Sequence, residues 1–244
     1  VNLVLVSGTP VEVSVSGTPE SLPVDCSDLY SNGFGNSGVY TIFPAGPTSP
    51  VQVFCEMGSM DAPDSNKWTV IQRRTDGTIN FYRGWEQYKT GFGQASSEYW
   101  LGLENIHLLS GKKSYKLRVD MEDFDGAKVF AEYSSFNVAP EKDGYRLTFS
   151  GFKDGGADSM HVHNGQKFST FDMDQDSFAQ NCAKMFLGGW WYVDCHHANP
   201  NGEYLWGESH YGLGVIWNSW KGRTYSLKAI AFKLSPQLEL DVIR

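Results

Sequence analysis

Tyr115-Lys-Leu-Arg-Val-Asp-Met-Glu122 alternates apolar and charged residues without a break. Tyr115, Leu117, Val119 and Met121 fall on one side of an extended chain, and Lys116, Arg118, Asp120 and Glu122 on the other. A period of two predicts a half-buried strand with one face in the core and one in water. Lys128 to Phe136 and Tyr145 to Phe149 read as further strands, and together they imply an antiparallel sheet with one solvated face. Upstream, Gly38 to Phe43 and Val51 to Cys55 flank Pro44-Ala-Gly-Pro47, the pattern of a hairpin with a wide turn. Trp68 to Arg74 carries β-branched and aromatic residues and adds a strand. Trp85 to Lys89 has helical spacing but stops at Gly91, which allows one or two turns. The expected class is α+β, a central twisted antiparallel sheet with short helices.

Beyond Gly151 this order fades. The text is rich in Gly, Asp, Asn, His and Trp and shows little periodicity until Tyr225 to Leu234, which marks a long, loop-rich and functional region. At the other end, residues 1–24 alternate apolar and polar side chains between two Ser-Gly-Thr-Pro copies, Ser7 to Pro10 and Ser16 to Pro19. That segment reads as short strands suited to attachment or pairing. The chain opens on Val1 without a basic stretch, the expectation for a mature or trimmed form.

With 244 residues and 41% hydrophobic content, the chain is long enough for one large domain with a real core. Its 20 Lys and Arg against 28 Asp and Glu give a net charge of −8, the wrong sign for gaining affinity by neutralising phosphates, so no nucleic-acid partner is expected. No apolar run approaches the roughly 20 residues that span a bilayer, so no membrane insertion is expected. The four cysteines contain no C-x-x-C pair, which leaves zinc ribbons and redox sites without support. Two local disulfides, Cys26–Cys55 and Cys182–Cys195, are the simplest reading and place the protein outside the cell; four buried thiols are the alternative.

Three constellations bear on chemistry. Asp172-Met-Asp174-Gln-Asp176 sets carboxylates at alternate positions, a concentration of charge that suits a hard divalent cation with oxygen ligands, while a solvated acidic turn is the plainer reading. An EF-hand is excluded because Ser177 stands at position six and Ala183 at position twelve. The second is Gly188 to Gly202, with Trp190, Trp191, Cys195 and His196, followed by Tyr211, Trp217 and Trp220. Aromatics on glycine-rich loops build small pockets, yet most of these tryptophans are better read as core, leaving His196 and Tyr211 free for a ligand. The third, His161-Val-His163, would aim two rings to one face of a strand but lacks a third ligand for catalytic zinc. No nucleophile elbow, H-E-x-x-H or phosphate loop occurs, and no enzyme activity is expected.

Several longer motifs carry a resemblance. Phe81-Tyr-Arg-Gly-Trp-Glu-Gln-Tyr-Lys-Thr-Gly-Phe-Gly93, Glu98 to Leu109, Phe168-Ser-Thr-Phe-Asp172, Asn181-Cys-Ala183, Trp190-Trp191 and Ser226-Leu-Lys228 resemble the fibrinogen-related domain, the fibrinogen C-terminal domain family, from about Asp25 to Leu234. Ficolins and acetyl-binding tachylectins are more distant members. The resemblance implies a fibrinogen C-terminal fold over 25–244, with subdomains at about 25–66, 67–150 and 151–235, the last holding calcium. It implies calcium (Ca2+) on the carboxylates of Asp174 and Asp176 and the carbonyls of Phe178 and Gln180, with Asp172 behind them. It implies the same two disulfides, and a cis peptide at Asp194–Cys195.

The family's acetyl pocket falls on Phe186, Cys195, His196, Tyr211, Gly212 and Arg223, the backbone N–H groups of Cys195 and His196 donating to an acetyl carbonyl. Acetyl-binding relatives have Tyr at the place of Phe186 and an aromatic at the place of Arg223, a change that favours acidic sugars. Gly212 takes the place of the acidic residue with which fibrinogen holds a peptide amine, so fibrin-type polymerisation is not expected. The resulting expectation is a secreted, extracellular, calcium-dependent recognition module for acetylated or acidic glycans. The alternative is a matrix protein binding elastic-fibre components or collagen. Either reading expects a homo-oligomer, since a weak single site gains strength from multivalency.

Overall fold

The computed structural model describes residues 22–58, 66–153 and 157–237. The expected pairing role of residues 1–21 lies outside the described residues. Tyr115–Glu122 is a strand whose burial alternates residue by residue, with Tyr115, Leu117, Val119 and Met121 all buried. It belongs to an antiparallel sheet in the order Gly38–Ile42, Val51–Glu56, Trp68–Arg74, Ala229–Pro236, Tyr115–Glu122, Lys128–Val138, Leu147–Lys153. Phe92–Gly93 and Tyr99–Trp100 attach beside Trp68–Arg74. The hairpin forms with Gly38 opposite Cys55 and Ile42 opposite Val51, and Cys26–Cys55 fastens the Cys26–Ser31 helix to it.

The Ala229–Pro236 strand lies in the middle of this sheet, paired on one side with Trp68–Arg74 and on the other with Tyr115–Glu122. The chain therefore leaves the sheet at its Leu147–Lys153 edge and returns to its centre. Everything between is a loop-rich excursion, and the candidate site lies in it. Apart from two short ladders, Ala198–Asn199 with Ile216–Trp217 and Gly207–Glu208 with Tyr225–Ser226, amide and ring donors hold it together. Asn199 Nδ2 donates to the carbonyls of Phe186, Gly212 and Gly214. Asn201 Nδ2 donates to Gly189, Trp191 Nε1 to Tyr145, and Trp217 Nε1 to Ala157. Buried carbonyls need such partners wherever regular structure is missing. Trp190, Trp191 and Trp217 are buried in the core, as the packing reading expects.

Three local expectations differ from what is found. The strand expected from Tyr145 begins at Leu147, because Gly144 (φ 70) and Tyr145 (φ 49) are consecutive left-handed residues that turn the chain. The helices Cys26–Ser31, Leu103–Ser110 and Cys182–Phe186 are additional to the one read at Trp85, which spans Trp85–Thr90. His161–His163 is a 3₁₀ turn and not a strand.

Candidate functional site

The acidic loop precedes the Cys182–Phe186 helix, whose N-cap, Asn181, accepts from the Lys184 N–H at 2.9 Å. The Asn181 amide also donates to the Thr170 and Phe171 carbonyls, which pulls the two ends of the loop together. Gln175 is anchored through Ser169 Oγ and the Phe168 carbonyl. Asp172 faces away from the loop: its Oδ1 accepts from the Trp85 N–H at 2.9 Å and from Thr170 Oγ1 at 2.6 Å. It thus caps the Trp85–Thr90 helix, a role that sequence spacing does not reveal.

Asp174 and Asp176 are the remaining carboxylates. Asp174 Oδ1 accepts from the Asp176 N–H at 3.3 Å, and Asp176 accepts from Phe178 at 3.0 Å and from Cys182 at 2.9 Å. Burial, and then the charge of Asp174 beside it, push the Asp176 carboxyl above the usual range. Among the described residues no Lys, Arg or His pairs with either group. The carbonyls of Phe178 and Gln180 accept no hydrogen bond there. Two crowded carboxylates without a counter-charge, flanked by free carbonyls, form an all-oxygen donor set that fits calcium.

The loop is bound to the following segment by the Cys182–Cys195 disulfide and by the Ser177 N–H donating to the Val193 carbonyl. The cis expectation at Asp194–Cys195 is corrected: among the described residues no peptide is cis. The trans form is favoured by about 3–4 kcal/mol for a bond without proline, and the turn closes with the Val193 N–H donating to the Cys195 carbonyl at 2.9 Å. Neither the Cys195 nor the His196 N–H has an acceptor among the described residues.

Beside these groups the expected pocket residues do come together. The Phe186 and His196 rings meet edge to face at 4.6 Å, and His196 Nε2 lies 3.0 Å from the Gly212 carbonyl. The Gly212 N–H donates to the Arg223 carbonyl, and the Arg223 guanidinium lies 5.5 Å from the Tyr211 ring. Gly212 has φ 75, and a Cβ there would come within 2.5 Å of the Phe186 ring. A side chain is therefore excluded at this position while Phe186 stays where it is. Tyr211 is 60% exposed and open to a ligand, but His196 is only 2% exposed, which corrects the reading of it as free. Burial holds its imidazole down at about 3, and its Nδ1 has no partner.

His163 is a structural residue. Its Nδ1 lies 2.8 Å from the Trp191 carbonyl while Nε2 accepts the N–H groups of His197 and Ala198. Both ring nitrogens are occupied, and among the described residues no three His, Cys, Asp or Glu side chains converge on a metal position. No helix of the described residues is long and apolar enough to cross a membrane.

The family model for the C-terminal globular domain of fibrinogen beta and gamma chains matches residues 22–237. Microfibril-associated glycoprotein 4 of Homo sapiens is 48% identical over 248 residues, covering 95% of both chains. The Bos taurus protein of that name is 52% identical over 87% of this chain and 85% of its own. The fibrinogen-like globe domain of human ANGPTL2 superposes with a TM-score of 0.83 at 43% identity, covering 88% of this chain and 99% of that one. A lamprey fibrin D-dimer, complexed with the peptide Gly-His-Arg-Pro-amide, superposes at 0.82 with 35% identity, covering 94% of this chain and 78% of that one. The chain therefore belongs to the family of fibrinogen C-terminal globular domains.

Proposed function

We propose that this protein is a secreted, matrix-associated recognition module, a calcium-dependent binder of elastic-fibre components or collagen and not an enzyme. The observation that carries this reading is the 48% identity with human microfibril-associated glycoprotein 4, which extends through 95% of both chains. Two disulfides and no free cysteine among the described residues suit an oxidising compartment. Calcium would be held by Asp174, Asp176 and the carbonyls of Phe178 and Gln180. Bound there, it supplies the positive charge that lets both carboxylates stay ionised. Asp176 then passes that order to the Cys182 backbone and, through the disulfide, to the segment carrying His196. Assembly into a homo-oligomer would multiply a weak contact.

A second reading, binding of acetylated or acidic glycans at Phe186, Cys195, His196, Tyr211, Gly212 and Arg223, is favoured by the two unpaired N–H groups of Cys195 and His196. A solid-phase assay against tropoelastin, fibrillin and collagen, repeated with N-acetylated sugars as competitors, separates the two. Saturable binding that the sugars leave intact supports the matrix reading. Failure to bind any of the three proteins, with sugar binding retained, overturns it in favour of the glycan one.

A further inference from the structure

Among the described residues three non-glycine residues have left-handed backbone, Tyr145, Leu187 and Trp206, and the last two line one cleft. That conformation is disfavoured for residues with a Cβ and persists where the surroundings over-determine it. The cleft has a volume of about 460 Å³ and runs between the turn after Arg74 and the segment following Gly202, with Leu187 on its wall.

Its mouth is formed by Trp206, which at 64% exposure shows more surface than the other large hydrophobic side chains of the described residues. The exposed indole is nonetheless supported. It meets the Tyr204 ring edge to face at 5.1 Å, and the Tyr204 hydroxyl donates to the carbonyls of Thr75 and Lys228. The floor is Arg74, 1% exposed, the one cation lining this cleft. Its Nη1 donates to the Pro200 and Gly202 carbonyls, but its Nε has no hydrogen-bond partner. The Glu98 oxygen at 3.7 Å is too distant, and that carboxylate already accepts the N–H groups of Thr75, Asp76, Gly77 and Ile79. Asn80 and Glu203 stand on the walls.

The supported Trp206 platform, the exposed Tyr82 ring beside it, and an amide and a carboxylate on the walls suit a ligand with one apolar face and a ring of hydroxyls. We propose that this cleft is a carbohydrate subsite that takes a neutral pyranose stacked on Trp206. The acidic groups Glu98 and Glu203 offset Arg74, so an anionic sugar gains nothing there. The proposal requires neither calcium nor the matrix reading.

The test is a titration of the full chain with methyl β-D-glucopyranoside, methyl β-D-galactopyranoside and methyl α-D-mannopyranoside, followed by ligand saturation-transfer and by tryptophan indole N–H resonances. The resonance that disappears in Trp206→Ala identifies the reporter. The expected result is a saturable shift of that resonance with at least one glycoside, at a Kd of about 1–10 mM. Trp206→Ala should weaken saturation transfer about tenfold or more, while Tyr211→Ala leaves it unchanged. No shift from any glycoside at about 100 mM overturns the proposal, as does transfer that survives Trp206→Ala. A shift from a proline-rich peptide but from none of the sugars overturns it in favour of a peptide groove.

Discussion

One carboxylate oxygen of Asp176 accepts the backbone N–H of Cys182 at 2.9 Å. The acidic loop is thereby joined to the disulfide that ends beside His196, so a change of charge in the loop has a covalent route to the candidate pocket. Asp176→Asn keeps an acceptor for Cys182 but removes the charge. Calcium affinity in calorimetry should fall about tenfold or more, since one of two carboxylate ligands is lost. In chelator the same variant should unfold at an equal or higher urea concentration than the parent, because the crowding that raises the Asp176 pKa is relieved.

Gly212→Asp should destabilise by about 2–3 kcal/mol in urea unfolding, from strain at φ 75 together with overpacking against Phe186. It should not create binding to Gly-His-Arg-Pro-amide. Calorimetry that finds the peptide bound to a fully stable variant would contradict the packing described around Phe186.

Glu98→Gln should cost about 3–5 kcal/mol, as expected when one partner of a buried charge pair is removed. Glu98 has no exposure, accepts four backbone N–H groups of the turn after Arg74 and is the carboxylate nearest the buried Arg74 guanidinium. Urea midpoints within experimental error of the parent would show that the turn is held by something else.

The pH dependence follows from His163, whose burial lowers its pKa to about 3. The unfolded residue takes up its proton near pH 6.5, so below that value the unfolded state binds more protons than the folded one. Stability is complete above about pH 6.5 and is lost as pH falls from there toward about 3, by about 1.4 kcal/mol per pH unit for one group. His196 acts in the same window. Urea midpoints between pH 7.5 and 5 should drop steeply in the parent and less steeply in His163→Gln; equal slopes would contradict the assignment.

Much of the fold is legible in the residues because period-two burial leaves a local signature. Tyr115–Glu122 and the hairpin from Gly38 are found where alternation and turn chemistry put them. The central position of Ala229–Pro236 is a long-range pairing that no local window encodes. The left-handed Tyr145 is likewise held by distant partners, its hydroxyl on Glu104 and its carbonyl on Trp191. In the site, residue types pointed to Asp174 and Asp176 but could not show that Asp172 turns away to cap a helix. Nor could they separate His196, sealed under Gly212 and Phe186, from Tyr211 in solvent, because the two sit on similar loop text. Trp206 and Arg74 become a pair of interest only when the fold brings 74 and 206 to one cleft.

In the proposed function, matrix recognition depends on calcium at the Asp174–Asp176 loop. The most direct measurement is solid-phase binding of the parent and of Asp174→Ala to tropoelastin, fibrillin and collagen, each in calcium and in chelator. Saturable binding by the parent in calcium, lost on chelation, is expected, with little binding by Asp174→Ala in either condition. Parent binding that is equally strong in chelator, and unchanged in Asp174→Ala, would contradict it.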